Sequence, residues 1–327
     1  VLYTFFVFNG NLASDPQGHT LKSGYNELMN NDNPVYQQQL QTEADVWSKN
    51  AEDYYTAHKP DWHDLRNYND YWVFARELEA FWNQIQPGDR VLELGCGAGW
   101  NALEMARRGA KVMALDIAEG ALEIARKYYA QVRSTETLPG TIEFLAVDIN
   151  HLESFAADYD WVVMFGTLHH APDPAQLLQT SRRLLKPSGH LMIFDPLDTT
   201  AIHSLIIGFF FFVLPTHLSY GDKFRRLLAV RGQAVSRMTT SIEGRGLSPF
   251  EGVGRTETPR TIISQYFTLK YYHAGYSIRS FLSQELNVPR PVAHAILAII
   301  MPFEWSLEQL HVLHGLRYIA LGIPNPH

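Results

Sequence analysis

The chain has 327 residues, 27 of them Lys or Arg and 34 Asp or Glu, for a formal charge of −7. A hydrophobic share of 46% can fill a large core and excludes wholesale disorder, and the acidic balance lacks the footprint of a general nucleic-acid binder. No nucleic-acid partner is expected. The one cysteine, Cys96, excludes an intrachain disulfide, and a cytoplasmic setting is the expectation.

The longest apolar run, Leu205–Leu214, is closed by Pro215 and reaches about half of the ~20 residues that a membrane span needs. A second, Val292–Phe303, is broken by Pro302. The opening segment starts on Val1, has no basic leading region or small-residue cleavage site, and is not read as a signal peptide.

In chain order, residues 1–34 read as a loosely ordered leader that ends in turn chemistry, Asn30-Asn31-Asp32-Asn33-Pro34. Residues 35–86 have helical spacing and many aromatics, Trp47, Tyr54, Tyr55, Trp62 and Trp72 among them, and read as an N-terminal helical lid. Residues 87–196 alternate strands with helices. Val91–Leu94, Lys111–Asp116, Ile142–Val147, Trp161–Phe165 and His190–Phe194 are the strands; Asn101–Arg108, Gly120–Arg133 and Pro174–Leu185 are the helices. That rhythm predicts a parallel sheet covered on both faces. Residues 197–262 form a hydrophobic and basic insertion, read as an α-helical cap. Residues 263–327 complete the sheet, with a short helix near Thr268–His273, a sixth strand at Tyr276–Ile278, an apolar helix and a closing strand at Leu316–Leu321.

The informative stretch is VLELGCGAGW at 91–100. Gly95, Gly97 and Gly99 follow a strand and precede a helix, so the backbone can turn sharply and a ligand can lie against it, near the free N–H groups of the helix start. A dinucleotide loop wants its third glycine one position later, where Trp100 stands, which disfavours a pyrophosphate. Asp116 ends the second strand, 21 residues after Gly95 (116 − 95), and can accept from both hydroxyls of a ribose. Asp148 ends the third and can lie beside an adenine amino group. Each aspartate also suits a turn or a helix cap.

Together with ALD at 114–116, VDIN at 147–150, WVVMFGTLHHAPDP at 161–174 and LLKPSGHLMIFDP at 184–196, this stretch resembles the successive motifs of class I S-adenosylmethionine-dependent methyltransferases. The resemblance covers roughly residues 45–200 well and 260–323 loosely. It implies a Rossmann-like, doubly wound, seven-stranded, mostly parallel α/β sheet and S-adenosyl-L-methionine as cofactor. By the resemblance, Glu93, Gly95, Cys96, Gly97 and Gly99 shape the methionine and ribose side. Asp116 with Ile117 holds the ribose, Asp148 with Ile149 frames the adenine, and Phe165 to Leu168, Gly166 among them, lie near the methyl-donor sulfonium. Segments before the first strand often close over the cofactor in such enzymes, which makes Trp47, Tyr54, Tyr55 and Arg66 lid candidates.

Methyl transfer to a hydroxyl calls for a base, and His169 and His170 are the candidates, with His273 more remote. The alternative is that the pair packs or hydrogen-bonds near the pocket without proton transfer; on an extended segment adjacent histidines point to opposite faces, which argues against a shared metal. The fourteen histidines show no metal-ligand spacing, and no metal is expected. In the insertion, Phe209–Phe212 would cover most of a helix circumference, and Lys223, Arg225, Arg226 and Arg231 could meet anionic headgroups. The expected partner is a small apolar acceptor, with peripheral membrane contact through the insertion; O-methylation is favoured and C-methylation is close behind. A nicotinamide-dependent oxidoreductase and a catalytically inactive cofactor-binding module stand as alternatives.

Overall fold

A computed structural model describes residues 33–57, 69–198, 200–229, 249–250 and 258–326. Contacts divide the chain into residues 1–41 and 42–327. The first unit holds the opening turns of helix α1 (Pro34–Ala57), where the Asn33 Oδ1 accepts the Val35 amide at 2.9 Å and Pro34 takes the first helical position. The second unit holds the rest of α1 and every other element.

That unit is built on one seven-stranded sheet. Its strands are β1 (Arg90–Leu94), β2 (Lys111–Asp116), β3 (Thr141–Ala146), β4 (Tyr159–Phe165), β5 (Leu185–Pro196), β6 (Phe267–Gly275) and β7 (Arg317–Pro324), in the order β3-β2-β1-β4-β5-β7-β6. The first five pair in parallel, and β7 runs antiparallel to β5 and β6. The sheet is the doubly wound, mostly parallel α/β arrangement that the sequence implied. Strand order reverses between β1 and β4, and open α/β sheets bind ligands beyond the carboxyl ends of strands at such a switch point.

Strict alternation along the central strands sends side chains to both covered faces. Val91, Val112, Val163 and Met192 meet α2 (Asn69–Trp82), α3 (Trp100–Arg107) and the later helices α9 (Arg279–Glu285) and α10 (Arg290–Gln309). Leu92, Leu94, Val162 and Ile193 meet α5 (Pro174–Leu184) and α8 (Pro259–Tyr266) on the other face. Helix α4 (Glu119–Thr135) packs on β2 and β3. Helix α5 starts on Asp173, whose side chain accepts the Gln176 amide at 2.9 Å, with Pro174 next.

Two expectations fail beyond β5. Thr268–His273 lies in strand β6, and Tyr276–Ile278 lies outside any strand. The segment FTLKYYHAG is rich in aromatic and β-branched residues, and pairing along β7 decides in favour of a strand. Helix α10 also runs on through Pro302.

In the insertion, α6 (Ala201–Val213) opens on a capping box between Thr200 and His203. His203, Ile207 and Phe211 face inward, while Leu205 (71% exposed) and Phe209 (62%) face solvent. The four phenylalanines therefore divide between interior and surface. Lys223, on α7 (Tyr220–Ala229), corrects the sequence reading. It is fully buried, donates to the Leu214 carbonyl at 2.6 Å and lies near the Phe211 and Tyr220 rings, so it is not a headgroup ligand. Burial pushes its ammonium pKa down. Arg225 is exposed and pairs with Asp222 at 2.7 Å; Arg231 and the Arg226 side chain lie outside the described residues. Among the described residues, no helix is long and apolar enough to cross a membrane.

The link between α9 and α10 rests on Glu304. Its carboxylate accepts the Ile278 and Arg279 amides at 2.6 and 2.8 Å and pairs with the Arg279 guanidinium, while only 1% of it is exposed. Burial pushes its carboxyl up, and Arg279 pulls it back. Glu304→Ala strands a largely buried guanidinium and orphans the first amides of α9. We expect a loss of about 3–5 kcal/mol of stability, read as a lower denaturant midpoint.

Candidate active site

The site grows from the carboxyl ends of β1, β2, β4 and β5. After Leu94 the chain turns through Gly95–Gly99 into α3. Gly97 has φ +51°, a left-handed conformation that favours glycine, and a Cβ built there would meet nothing within 4 Å. Gly95 is crowded instead: an added Cβ would lie 2.4 Å from Thr167 Oγ1, so the loop packs directly on the segment after β4. Gly99 is the N-cap of α3.

Asp116 reaches across to this loop. Its Oδ2 accepts the Gly97 amide at 2.7 Å and its Oδ1 accepts the Ala118 amide at 2.9 Å. Burial pushes its carboxyl up, the two amides pull it back, and the Glu43 charge raises it further. A carboxylate oxygen has room for a second donor, so these bonds leave acceptor capacity for ligand hydroxyls. Ile117 beside it is half-buried. Asp148, after β3, accepts both the backbone and side-chain N–H of Asn150, at 2.9 and 2.8 Å, which makes it a turn residue; Ile149 packs on the second core face.

Glu93 is the most unusual group. It is fully buried on β1, and among the described residues neither carboxylate oxygen has a hydrogen-bond partner of good geometry. Burial, reinforced by the Asp116 charge, pushes its pKa up to about 8; the Ala102 amide and Asn101 side chain offset little of this. Cys96 feels the same field. Burial and the charges of Asp116 and Glu93 raise its thiol pKa well above the usual value, which keeps it protonated and unsuited to nucleophilic attack.

The other side of the site follows β4. Phe165 and Phe194 are paired in register, with ring centroids 6.0 Å apart, and Gly166 donates its amide to the Phe194 carbonyl at 2.8 Å. His169 and His170 lie on a 3₁₀ turn, Leu168–His170, with ring centroids 3.9 Å apart, which corrects the opposite-faces expectation. A tight turn brings neighbouring side chains together where a strand would separate them. Asp195, at the end of β5 and 2% exposed, accepts the His169 backbone amide at 2.9 Å and contacts its Nδ1 at 3.0 Å. His170 Nδ1 lies 3.2 Å from Glu43 of α1. Glu43 also accepts from the Trp47 indole at 2.7 Å, and that indole packs edge-on against His170.

Sequence reasoning missed Glu43 and Asp195. Asp195 carried a signal, since it ends a strand on the same sheet edge as Asp116. Glu43 carried only its spacing of four from Trp47. The Tyr55 and Tyr54 side chains and Arg66 lie outside the described residues, and His273 stands on β6, two strands from β5. Among the described residues, no group of three His, Cys, Asp or Glu side chains is placed to hold a metal.

These residues fit an adenosyl sulfonium amino acid. No described residue lies within 4 Å of a Cβ built at Gly97, Asp116 reaches across to the same loop, and the buried Glu93 carboxyl can gain a charge beside a bound cation.

Residues 92–193 match the family model described as a methyltransferase domain. The chain is 36% identical over 105 residues to a ubiquinone biosynthesis O-methyltransferase of Acinetobacter baylyi, covering 32% of this chain and 42% of that protein. It is 38% identical over 105 residues to the enzyme of that name from Vibrio cholerae, covering 32% and 40%. The chain thus spans about two-fifths of the length of these relatives. A putative sarcosine dimethylglycine methyltransferase from Galdieria sulphuraria superposes with a TM-score of 0.43 at 18% identity, covering 78% of this chain and 84% of that one. The family match falls on β1 to β5, the part of the sheet that carries the glycine loop and Asp116. Over residues 92–193, this chain is similar to the methyltransferase-domain family.

Proposed function

We propose that the chain transfers the methyl group of S-adenosyl-L-methionine to an oxygen of a small lipophilic acceptor. The observation that carries this reading is the buried Glu93 carboxyl, its pKa raised to about 8, on the strand that leads into a glycine loop bonded to Asp116. The cofactor, when bound, supplies a methyl group activated on a sulfonium. The protein positions, excludes water and manages a proton.

Glu93 and the loop Gly95–Gly99 hold the amino-acid end. Asp116 with Ile117 takes the ribose hydroxyls, the Asp148–Ile149 turn borders the adenine, and Phe165 and Gly166 border the methyl donor. An oxygen acceptor has two supports, the names of the relatives and a histidine pair beside the site. An apolar acceptor is supported by the relatives' place in ubiquinone biosynthesis and by the apolar solvent face of α6, which also suits a lipid surface.

Labelled methyl from the cofactor, incubated with the protein and a cell extract, is expected in the organic phase after extraction. Label confined to the aqueous phase refutes the lipophilic acceptor. Cofactor binding with no transfer identifies an inactive module.

Gly97→Ala places a methyl group in open space, so the ligand-free fold bears only the left-handed strain of about 1–2 kcal/mol. A ligand lying on the loop meets that methyl. S-adenosylhomocysteine affinity, measured by calorimetry, is expected to fall at least tenfold, with a thermal midpoint lowered by only a few degrees.

Glu93 sets a pH dependence. With a folded pKa of about 8 against 4.5, its stabilising contribution is full below pH 4.5 and is lost as pH rises through 8. A ligand ammonium beside it favours the ionised form, so binding at pH 7 releases protons and tightens as pH rises from 6 to 8. Calorimetry in buffers of different ionisation enthalpy is expected to show release approaching one proton, absent in Glu93→Gln.

A further inference from the structure

The two histidines after β4 are held by different carboxylates from different elements. His170 is tied to Glu43 and Trp47 of α1, so it joins that helix to the sheet edge. His169 is clamped at two atoms by one buried aspartate, Asp195, through its backbone N–H and its Nδ1. A carboxylate only accepts, so the ring must place its proton on Nδ1. Nε2 is then the basic nitrogen. Two contacts to one side chain fix both the tautomer and the ring's attitude, and a base needs both.

We propose that Asp195 is a positioning residue that sets His169 as the base for a hydroxyl acceptor. This rests on the methyl-transfer reading above. A positioned base takes the hydroxyl proton as the oxygen is attacked. Carbon and amine acceptors have no hydroxyl proton to surrender. In the step, the hydroxyl proton goes to His169 Nε2 and the acceptor oxygen bonds the methyl carbon. The carbon–sulfur bond breaks with its electron pair staying on sulfur. The products are a methyl ether and S-adenosylhomocysteine, and His169 returns its proton to water.

The test uses the full chain and Asp195→Asn, an isosteric change whose amide donates to Nδ1 and forces the proton onto Nε2. With ¹⁵N-labelled histidine, the wild type is expected to show His169 as the Nδ1–H tautomer, and Asp195→Asn the Nε2–H tautomer. An Nε2–H wild type, or a tautomer unmoved by the substitution, overturns the role of Asp195. In complex with S-adenosylhomocysteine, the chromogenic phenol 4-nitrocatechol is expected to bind as its phenolate at a pH where the free probe is neutral. The ratio of bound phenolate to bound phenol should fall at least tenfold in Asp195→Asn and in His169→Gln, with S-adenosylhomocysteine affinity unchanged. Neutral binding, no binding, or equal ionisation in His169→Gln overturns the role of His169 as the base. Failure of the wild type to bind S-adenosylhomocysteine would overturn the cofactor reading instead, while the tautomer spectrum would still decide the pairing of Asp195 with His169.

Discussion

The arrangement depends on burying carboxylates at the sheet's switch point. Glu93 and Asp116 stand on neighbouring strands, and each raises the cost of ionising its surroundings. Burying a charge without a partner is among the larger penalties a fold can carry. Asp116 offsets it with two backbone amides from the turns that follow β1 and β2. Glu93 offsets it by holding a proton near neutrality. The two solutions meet where the family resemblance places the cofactor's amino acid and ribose.

That constraint explains the glycine spacing better than any rule about turns. The Gly97 amide must reach the Asp116 carboxylate, Gly95 must clear Thr167, and the chain must still enter α3 one turn later. Three alternating glycines meet those conditions together. Trp100 then begins the helix where a dinucleotide loop would keep a glycine.

Legibility in the sequence followed the range of the interactions. The parallel half of the sheet was readable because each strand is a short apolar run bounded by turn residues, and its two-faced burial needs no partner to be named. Segment 267–275 was not. Its character as a strand depends on pairing with β7, about fifty residues away, and local spacing there fits a helix as well. Asp116 was legible from its distance to Gly95. The Asp195 contact joins residues 26 apart, and the Glu43 contact joins α1 to the turn after β4. No local pattern encodes either. Lys223 misled for a related reason: composition reports a charge, and only packing between Phe211, Tyr220 and the Leu214 carbonyl shows that the charge is buried.

Adjacent histidines on a 3₁₀ turn bring their ring centroids to 3.9 Å, and separate carboxylates, one on α1 and one on β5, hold the two rings. The division has a structural consequence. Helix α1 is fastened to the turn after β4 through His170, so Glu43 and His169 are linked through neighbouring rings rather than through the backbone. A change that loosens Glu43 would disturb His170 first, and would reach His169 only through the ring contact. Asp195 insulates His169 from that helix by holding it from the sheet, the most rigid part of the fold.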